Sequence, residues 1–245
     1  MLPIRESFAV RSYEVDAFNE LAVPALWGYL QESAGISADR LGFGVQRCLD
    51  AGFTWVLARQ RLEIARAARF GETVEIETWP NGTERLAAHR EFVVRCRGEE
   101  IARATSTWFL LELKTRRPVD PAAVLDSAFP RERGPSVLAL PGGKIPALEA
   151  VELERPFAIR FADIDLNWHV NNVSYVQWLL EGVPKETWHE RRPSAVDAQY
   201  VAECEWGGRI LTRARATGGD RYLHSVAREA DGKEIARGET EWVVR

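Results

Sequence analysis

The sequence predicts an α+β protein made of two copies of one domain, each with a helix near its start and antiparallel strands after it. Three observations predict this. A motif recurs at a fixed offset, helical spacing gives way to alternation within each copy, and prolines concentrate between the copies. A long helix followed by several antiparallel strands lets a sheet wrap the helix.

The repeat comes first, because it sets the organisation. RSYEVDAFNELAVPALWGYLQE begins at Arg11 and RFADIDLNWHVNNVSYVQWLLE at Arg160. At an offset of 149, Arg11 matches Arg160, Asp16 matches Asp165, Leu30 matches Leu179 and Glu32 matches Glu181. Farther along, Glu100-Ile-Ala-Arg103 with Trp108 recurs as Glu234-Ile-Ala-Arg237 with Trp242, and Phe70-Gly71 as Trp206-Gly207. Their common order along the chain argues against chance. Six of the twelve prolines fall between Pro118 and Pro146, with Gly134, Gly142 and Gly143 among them. Such a stretch suits neither a central strand nor a long helix. The expected division is residues 1–133, a connection at 134–149, and residues 150–245.

In the first copy Leu26, Leu30 and Ile36 mark a helix running toward Leu41-Gly42. Val74, Ile76 and Thr78 then alternate with Glu75 and Glu77, and Phe92 and Val94 with Val93 and Arg95. Residues 105–113 are β-branched and aromatic enough for a buried strand. In the second copy Val173, Val176, Leu179 and Leu180 keep helical spacing after Asn171 and Asn172, which are plausible N-terminal caps.

Composition excludes several classes. The chain has 245 residues, enough for one domain or two, with 46% hydrophobic and 28% charged residues, an ordinary globular balance. Apolar stretches such as residues 21–30 are about half the roughly 20 residues a membrane span needs. The start has no basic region followed by an apolar core, and Glu6, Glu14 and Asp16 argue against an organelle transit peptide. A net charge of −4 gives no global attraction for nucleic acid. Cys48, Cys96 and Cys204 are odd in number and lack paired metal spacing, so a reducing cytoplasm is expected. Of 32 basic residues only four are lysine. That fits either a GC-rich coding bias or local recognition of phosphate or carboxylate by arginine's planar fork.

The densest polar cluster precedes the second helix: Asp165, Asn167 and His169, spaced by two. In an extended approach this spacing points all three side chains to one side, toward a helix N-terminus that favours developing negative charge. A polar capping loop is the bland alternative. The first copy has Asp16, Phe18 and Glu20 instead, an asymmetry that favours chemistry at one site. His89, His189 and His224 are expected at the surface or in packing. Glu203-Cys204 is the second candidate, read as part of a strand over residues 200–206. Alternation groups Cys204 with Tyr200, Ala202 and Trp206, a small buried hydrophobe. Glu203 is therefore favoured as the base over Cys204 as a nucleophile.

These strings, with QYVAECEWGGRIL downstream and FAVRSYEVD, YLQESAG, FTWVLARQRLEI and ARATSTWFLLELKTRRP in the first half, resemble the plant and bacterial acyl-acyl-carrier-protein thioesterases. The resemblance spans nearly the whole chain. It implies a tandem double hotdog, each domain a long helix wrapped by an antiparallel sheet, and hydrolysis of fatty acyl thioesters to free fatty acid and holo carrier protein. The family's catalytic Asp, Asn and His fall on Asp165, Asn167 and His169, and its Glu and Cys on Glu203 and Cys204. Asn167 and His169 would orient the carbonyl and stabilise the oxyanion. Glu203 would activate water, and Asp165 would either hold that network or attack the carbonyl.

The first domain, with a degenerate site, would bind the acyl chain, with residues 21–30 and 53–57 as candidate walls. No cofactor is implied, because the substrate carries its own phosphopantetheine. The implied partner is the acidic acyl carrier protein, which Arg59, Arg61, Arg66, Arg69, Arg116 or Arg117 could meet. No nucleic acid or membrane span is implied, and both a monomer and a homodimer fit. The missing transit segment implies a bacterial enzyme. Gln177, where glycine is common, departs from the pattern and bears on substrate detail. The rivals are an acyl-coenzyme A thioesterase of the same fold, a non-catalytic hotdog acyl-thioester binder or sensor, and a hotdog hydratase. No helix-turn-helix segment is left over for a regulator, and a hydratase's Asp/His pattern differs from Asp-x-Asn-x-His.

Overall fold

The computed structural model describes residues 3–125, 129–139 and 143–245. The chain forms two compact units, residues 1–140 and 141–245. The expected connection, 134–149, straddles that division, and its residues 140–142 lie outside the described ones.

In the first unit, β1 (Ile4–Ala9) precedes the helix α1 (Val23–Arg40) and a short α2 (Val45–Asp50). Then come β2 (Phe53–Ile64), β3 (Thr73–Glu84), β4 (Ala87–Cys96) and β5 (Glu99–Glu112), followed by β6 (Pro118–Val119) and α3 (Pro121–Val124). The strands run antiparallel in the order β1-β3-β4-β5-β2, with β6 on β5. Helix α1 starts with Pro24 in its first turn, where a missing N–H costs nothing. It buries Leu26, Trp27, Leu30 and Ala34, a stripe at helical spacing.

Register shows which sheet face meets this stripe, since opposed residues of an antiparallel pair share a face. Phe8 lies opposite Val74 and stacks on Tyr29 of α1 with ring centroids 4.5 Å apart. Val74, Ile76 and Thr78 therefore face the helix. Through the pairs Thr78–Phe92, Phe92–Ala104 and Ala104–Leu62, so do Phe92, Ala104 and Leu62. All six are fully buried. Glu91 alternates to the other face. Its Oε1 accepts from Asn81 Nδ2 at 2.8 Å and its Oε2 from Val137 N at 3.1 Å, while Gly134 N donates to Asn81 Oδ1 at 2.9 Å. Gly82 (φ +75°) is needed beneath this segment, because a Cβ there would lie 2.2 Å from the Glu132 carbonyl oxygen.

The second unit repeats the plan. β7 (Leu153–Ala158) leads through a 3-10 turn (Phe161–Asp163) to α4 (Asn172–Glu181) and α5 (Lys185–Glu190). β8 (Arg191–Tyr200), β9 (Arg209–Gly218), β10 (Arg221–Arg228) and β11 (Glu234–Val244) follow. Their order, β7-β9-β10-β11-β8, matches the first unit strand for strand. Asn171 caps α4 by accepting from Val173 N at 2.9 Å, and Asn172 is its first helical residue rather than a second cap. Gly238 of β11 lets the helix close in, since a Cβ there would meet Leu179 Cδ1 at 2.8 Å.

Each unit is a hotdog of the α+β class, a helix wrapped by an antiparallel sheet, and the chain is a tandem double hotdog. One element differs from the sequence reading: a six-residue strand opens each unit ahead of its helix.

Candidate functional site

The segment ahead of α4 is a tight turn, not the extended approach that the spacing suggested. Ile164 bridges Val170, Asp165 N donates to His169 O at 2.8 Å, and Trp168 N donates to Asp165 O at 3.1 Å. Asp165 Oδ1 accepts from the backbone N–H of Asn167 at 2.8 Å and of His169 at 3.3 Å. This carboxylate therefore fixes the backbone that carries the other two candidates. Ahead of it, buried Asp163 accepts from Arg160 N at 2.7 Å and Arg160 Nη2 at 2.8 Å, while its own carbonyl takes Asn171 N at 2.8 Å. Burial works to raise the Asp163 carboxyl, but its hydrogen bonds with Arg160 outweigh this and hold it below the usual range. The sequence places Asp163 at the head of the polar cluster but gives it no role, although its match to Glu14 was available as a signal.

The first unit contains the same turn. Val15 bridges Leu21, Asp16 N donates to Glu20 O at 2.8 Å, and Asp16 Oδ1 accepts from Phe18 N at 2.9 Å and Glu20 N at 3.0 Å. Glu14 stands for Asp163, accepting from Arg11 N at 2.9 Å. The asymmetry between copies is thus narrower than the sequence suggested. Asp16 and Asp165 share a turn-holding job, and only Asn167 and His169 are peculiar to the second unit.

Both turns need a left-handed residue, Asn19 (φ 61°) in the first and Trp168 (φ 62°) in the second. Asparagine tolerates that region, whereas a bulky side chain is strained in it. Trp168 is nonetheless 69% exposed. It sits edge-on to Phe161, which is edge-on to Trp206. This aromatic group flanks the turn, and the first unit has Ser12, Asn19 and Phe70 at its three positions.

The Glu203-Cys204 strand expected over 200–206 ends at Tyr200, and Val201 onward is irregular. Burial nevertheless separates the pair. Glu203 is 41% exposed at its side chain, with Oε2 3.7 Å from His169 Nε2. Cys204 is 4% exposed, its thiol is pushed up by burial, and its carbonyl accepts Val170 N at 3.2 Å. In the first unit Ala68 does the same backbone job for Leu21 at 2.7 Å. Ala67-Ala68 thus stand where the second unit has Glu203-Cys204, so that position requires only a small buried side chain. Trp206, grouped by alternation with the buried face, is exposed.

The turn places His169 beside Glu203 on one rim of the second unit, with exposed Asn167 two residues ahead of His169 on the same turn. His89 and His224 are buried inside strands, and His189 is exposed. Of the arginines considered for partner contact, Arg59 is buried, Arg61 is bonded to Glu63 and Arg66 to Glu72, while Arg69, Arg116 and Arg117 are exposed.

The fold defines a tandem hotdog protein, and comparison with known proteins narrows this. Family models of the acyl-ACP thioesterase N-terminal and C-terminal domains match residues 2–126 and 147–244. The chain belongs to the acyl-ACP thioesterase family. It is 32% identical to oleoyl-acyl carrier protein thioesterase 1 of Arabidopsis thaliana, over 98% of this chain and 76% of that protein. It is 31% identical to a palmitoyl-acyl carrier protein thioesterase of Cuphea hookeriana, over 98% of this chain but 62% of that one. The solved structure of the 12:0-ACP thioesterase from Umbellularia californica superposes with a TM-score of 0.88 at 26% identity, covering 100% of this chain and 98% of the other. Among the described residues no helix is long and apolar enough to cross a membrane.

Proposed function

We propose that the protein hydrolyses fatty acyl-carrier-protein thioesters, with Asn167, His169 and Glu203 as the catalytic residues and Asp165 as the residue that positions two of them. The observation that carries this reading is the 3.7 Å separation of His169 Nε2 and Glu203 Oε2 beside the start of α4. That distance is too long for a direct hydrogen bond and suits two groups acting on one substrate centre. Glu203 takes a proton from water as its oxygen attacks the thioester carbon. The Asn167 amide and the His169 imidazole donate to the resulting oxyanion, aided by the positive end of α4. The tetrahedral intermediate then collapses, the carbon–sulfur bond breaks, and Glu203 returns its proton to the departing phosphopantetheine thiolate.

Cys204 takes no part in this scheme, because a thiol raised by burial yields little thiolate. The chemistry calls for no cofactor. The carrier protein supplies the phosphopantetheine arm, and the first unit takes the acyl chain. Three buried, unbridged cysteines among the described residues support a reducing compartment, the cytoplasm. The test is release of free fatty acid from acyl-carrier protein and from the matched acyl-coenzyme A. Faster turnover of the carrier substrate supports the reading. Equal or faster coenzyme A turnover makes the protein an acyl-coenzyme A thioesterase, and binding without turnover makes it a sensor.

A further inference from the structure

On the helix-facing side of the first unit's sheet, where Glu6 of the edge strand β1 is paired with Arg40 of α1 at 2.6 Å, three further polar side chains line up across the middle strands. Gln60 of β2 lies opposite Ser106 of β5, and Ser106 lies opposite Arg90 of β4. The three share the face of Thr78, Phe92, Ala104 and Leu62, the face that meets α1. Arg90 is 6% exposed and Gln60 2%. Arg90 Nη1 donates to Thr78 Oγ1 at 3.2 Å, and no ion pair reaches its guanidinium among the described residues. Gln60 Nε2 is buried without an acceptor. The Ser106 hydroxyl accepts from Trp108 Nε1 at 2.8 Å, leaving its own proton to donate.

A row of buried donors short of acceptors costs stability unless something supplies oxygen. The second unit shows that the fold does not require the row. At the same register positions it has Val196 opposite Thr240 and Thr240 opposite Tyr222, with no charge and no amide. The cation and the amide are therefore particular to the unit that the proposed function assigns to the acyl chain. Burial lowers the Arg90 guanidinium to about 10, which still leaves it protonated at neutral pH.

We propose that Gln60, Ser106 and Arg90 form a polar reading row inside the acyl-binding unit, selecting acyl chains that carry an oxygen acceptor, with a terminal carboxylate bound most strongly. This inference rests on the hydrolase reading above and deepens it. A guanidinium in an apolar surround gains most from an anion, and the Gln60 amide with the Ser106 hydroxyl can complete a second oxygen's bonds. A plain hydrocarbon at the same place offers Gln60 Nε2 no acceptor and leaves Arg90 with Thr78 alone. Sites built around buried donors discriminate against analogues that lack the matching acceptor.

The experiment compares carrier-protein thioesters of straight saturated chains with counterparts bearing a terminal carboxylate or terminal hydroxyl, across a ladder of chain lengths. For wild type, kcat/KM should favour an oxygen-bearing chain at one or two lengths by about tenfold or more. Arg90→Met should collapse the carboxylate preference through KM, and Gln60→Leu should reduce both preferences. Arg90→Lys should retain part of the carboxylate preference. If Arg90→Met does not fold, Gln60→Leu carries the test. A wild type that favours plain chains at every length overturns the inference while leaving the hydrolase reading intact. So do variants whose preference ratios match wild type. Absence of turnover on every thioester would instead overturn the hydrolase reading.

Discussion

Asp165 and Asp16, 149 residues apart in the chain, hold the same turn by the same bonds. Each carboxylate accepts, through Oδ1, the backbone N–H groups two and four residues on, at 2.8 and 3.3 Å in the second unit and 2.9 and 3.0 Å in the first. Asp16 does this next to Phe18 and Glu20, which carry none of the second unit's chemistry. The bonds therefore belong to the scaffold. Asp165→Asn keeps an acceptor oxygen and should keep the turn and most of kcat, whereas Asp165→Ala should lose both turnover and about 1 kcal/mol of stability. Asp16→Ala should show a similar stability loss with kcat near wild type. Steady-state kinetics and urea midpoints on the three variants check this. An inactive but fully stable Asp165→Asn would show that the carboxylate itself reacts.

Glu203 and Cys204 are neighbours that the structure sends in different directions. Removing a general base typically costs 10²–10⁴ in rate, so Glu203→Gln should lose about that much kcat with a KM close to wild type. Cys204→Ala introduces the residue that the first unit has at Ala68. It should retain kcat within a few-fold and lose about 1 kcal/mol through the missing sulfur. Fatty-acid release assays on the two proteins decide the matter. A dead Cys204→Ala beside an active Glu203→Gln would reverse the assignment.

Much of this was legible in the sequence, and the unread parts have physical causes. The repeat implied two like units, and the strand orders match one for one. Leu26, Leu30 and Leu179 marked the helices because helical burial leaves a periodic trace. The turn at Asp165 was misread because it depends on a left-handed tryptophan, a conformation no propensity assigns to that residue; Asn19 at the matching place was the clue. The strand end at Tyr200 left no trace, because Val201 and Ala202 suit a strand and only pairing ends it. The row of Gln60, Ser106 and Arg90 spans three strands, so only register brings it together.

Trp168 is held at φ 62° and exposed, so its side chain does little to offset its backbone strain. Asparagine, the residue at the matching position of the first unit, suits that conformation. Trp168→Asn should stabilise the protein by about 1 kcal/mol, seen as a higher urea midpoint with an unchanged slope. A lower midpoint would show that the contact between Trp168 and Phe161 contributes more than the strain costs.

His224 gives the second unit a pH dependence of its own. The ring is fully buried in β10, with Nε2 2.8 Å from the Thr240 hydroxyl and Nδ1 unpartnered. Burial depresses it to about 3. In the unfolded chain it titrates near 6.5. Between these values the unfolded state binds a proton that the folded state refuses, so stability falls as pH drops through that window, by about 1.4 kcal/mol per pH unit. Above about pH 6.5 the effect vanishes, because both states are neutral. Phe92 holds the matching register position in the first unit, opposite Ala104 as His224 is opposite Gly238. His224→Phe should therefore flatten the dependence. Carboxylate titrations are common to both proteins, so the wild-type-minus-variant difference in unfolding free energy at pH 7 and pH 5 isolates the histidine. It should shift by about 2 kcal/mol against wild type at the lower pH. Parallel curves for the two proteins would mean that His224 accepts its proton in the folded state.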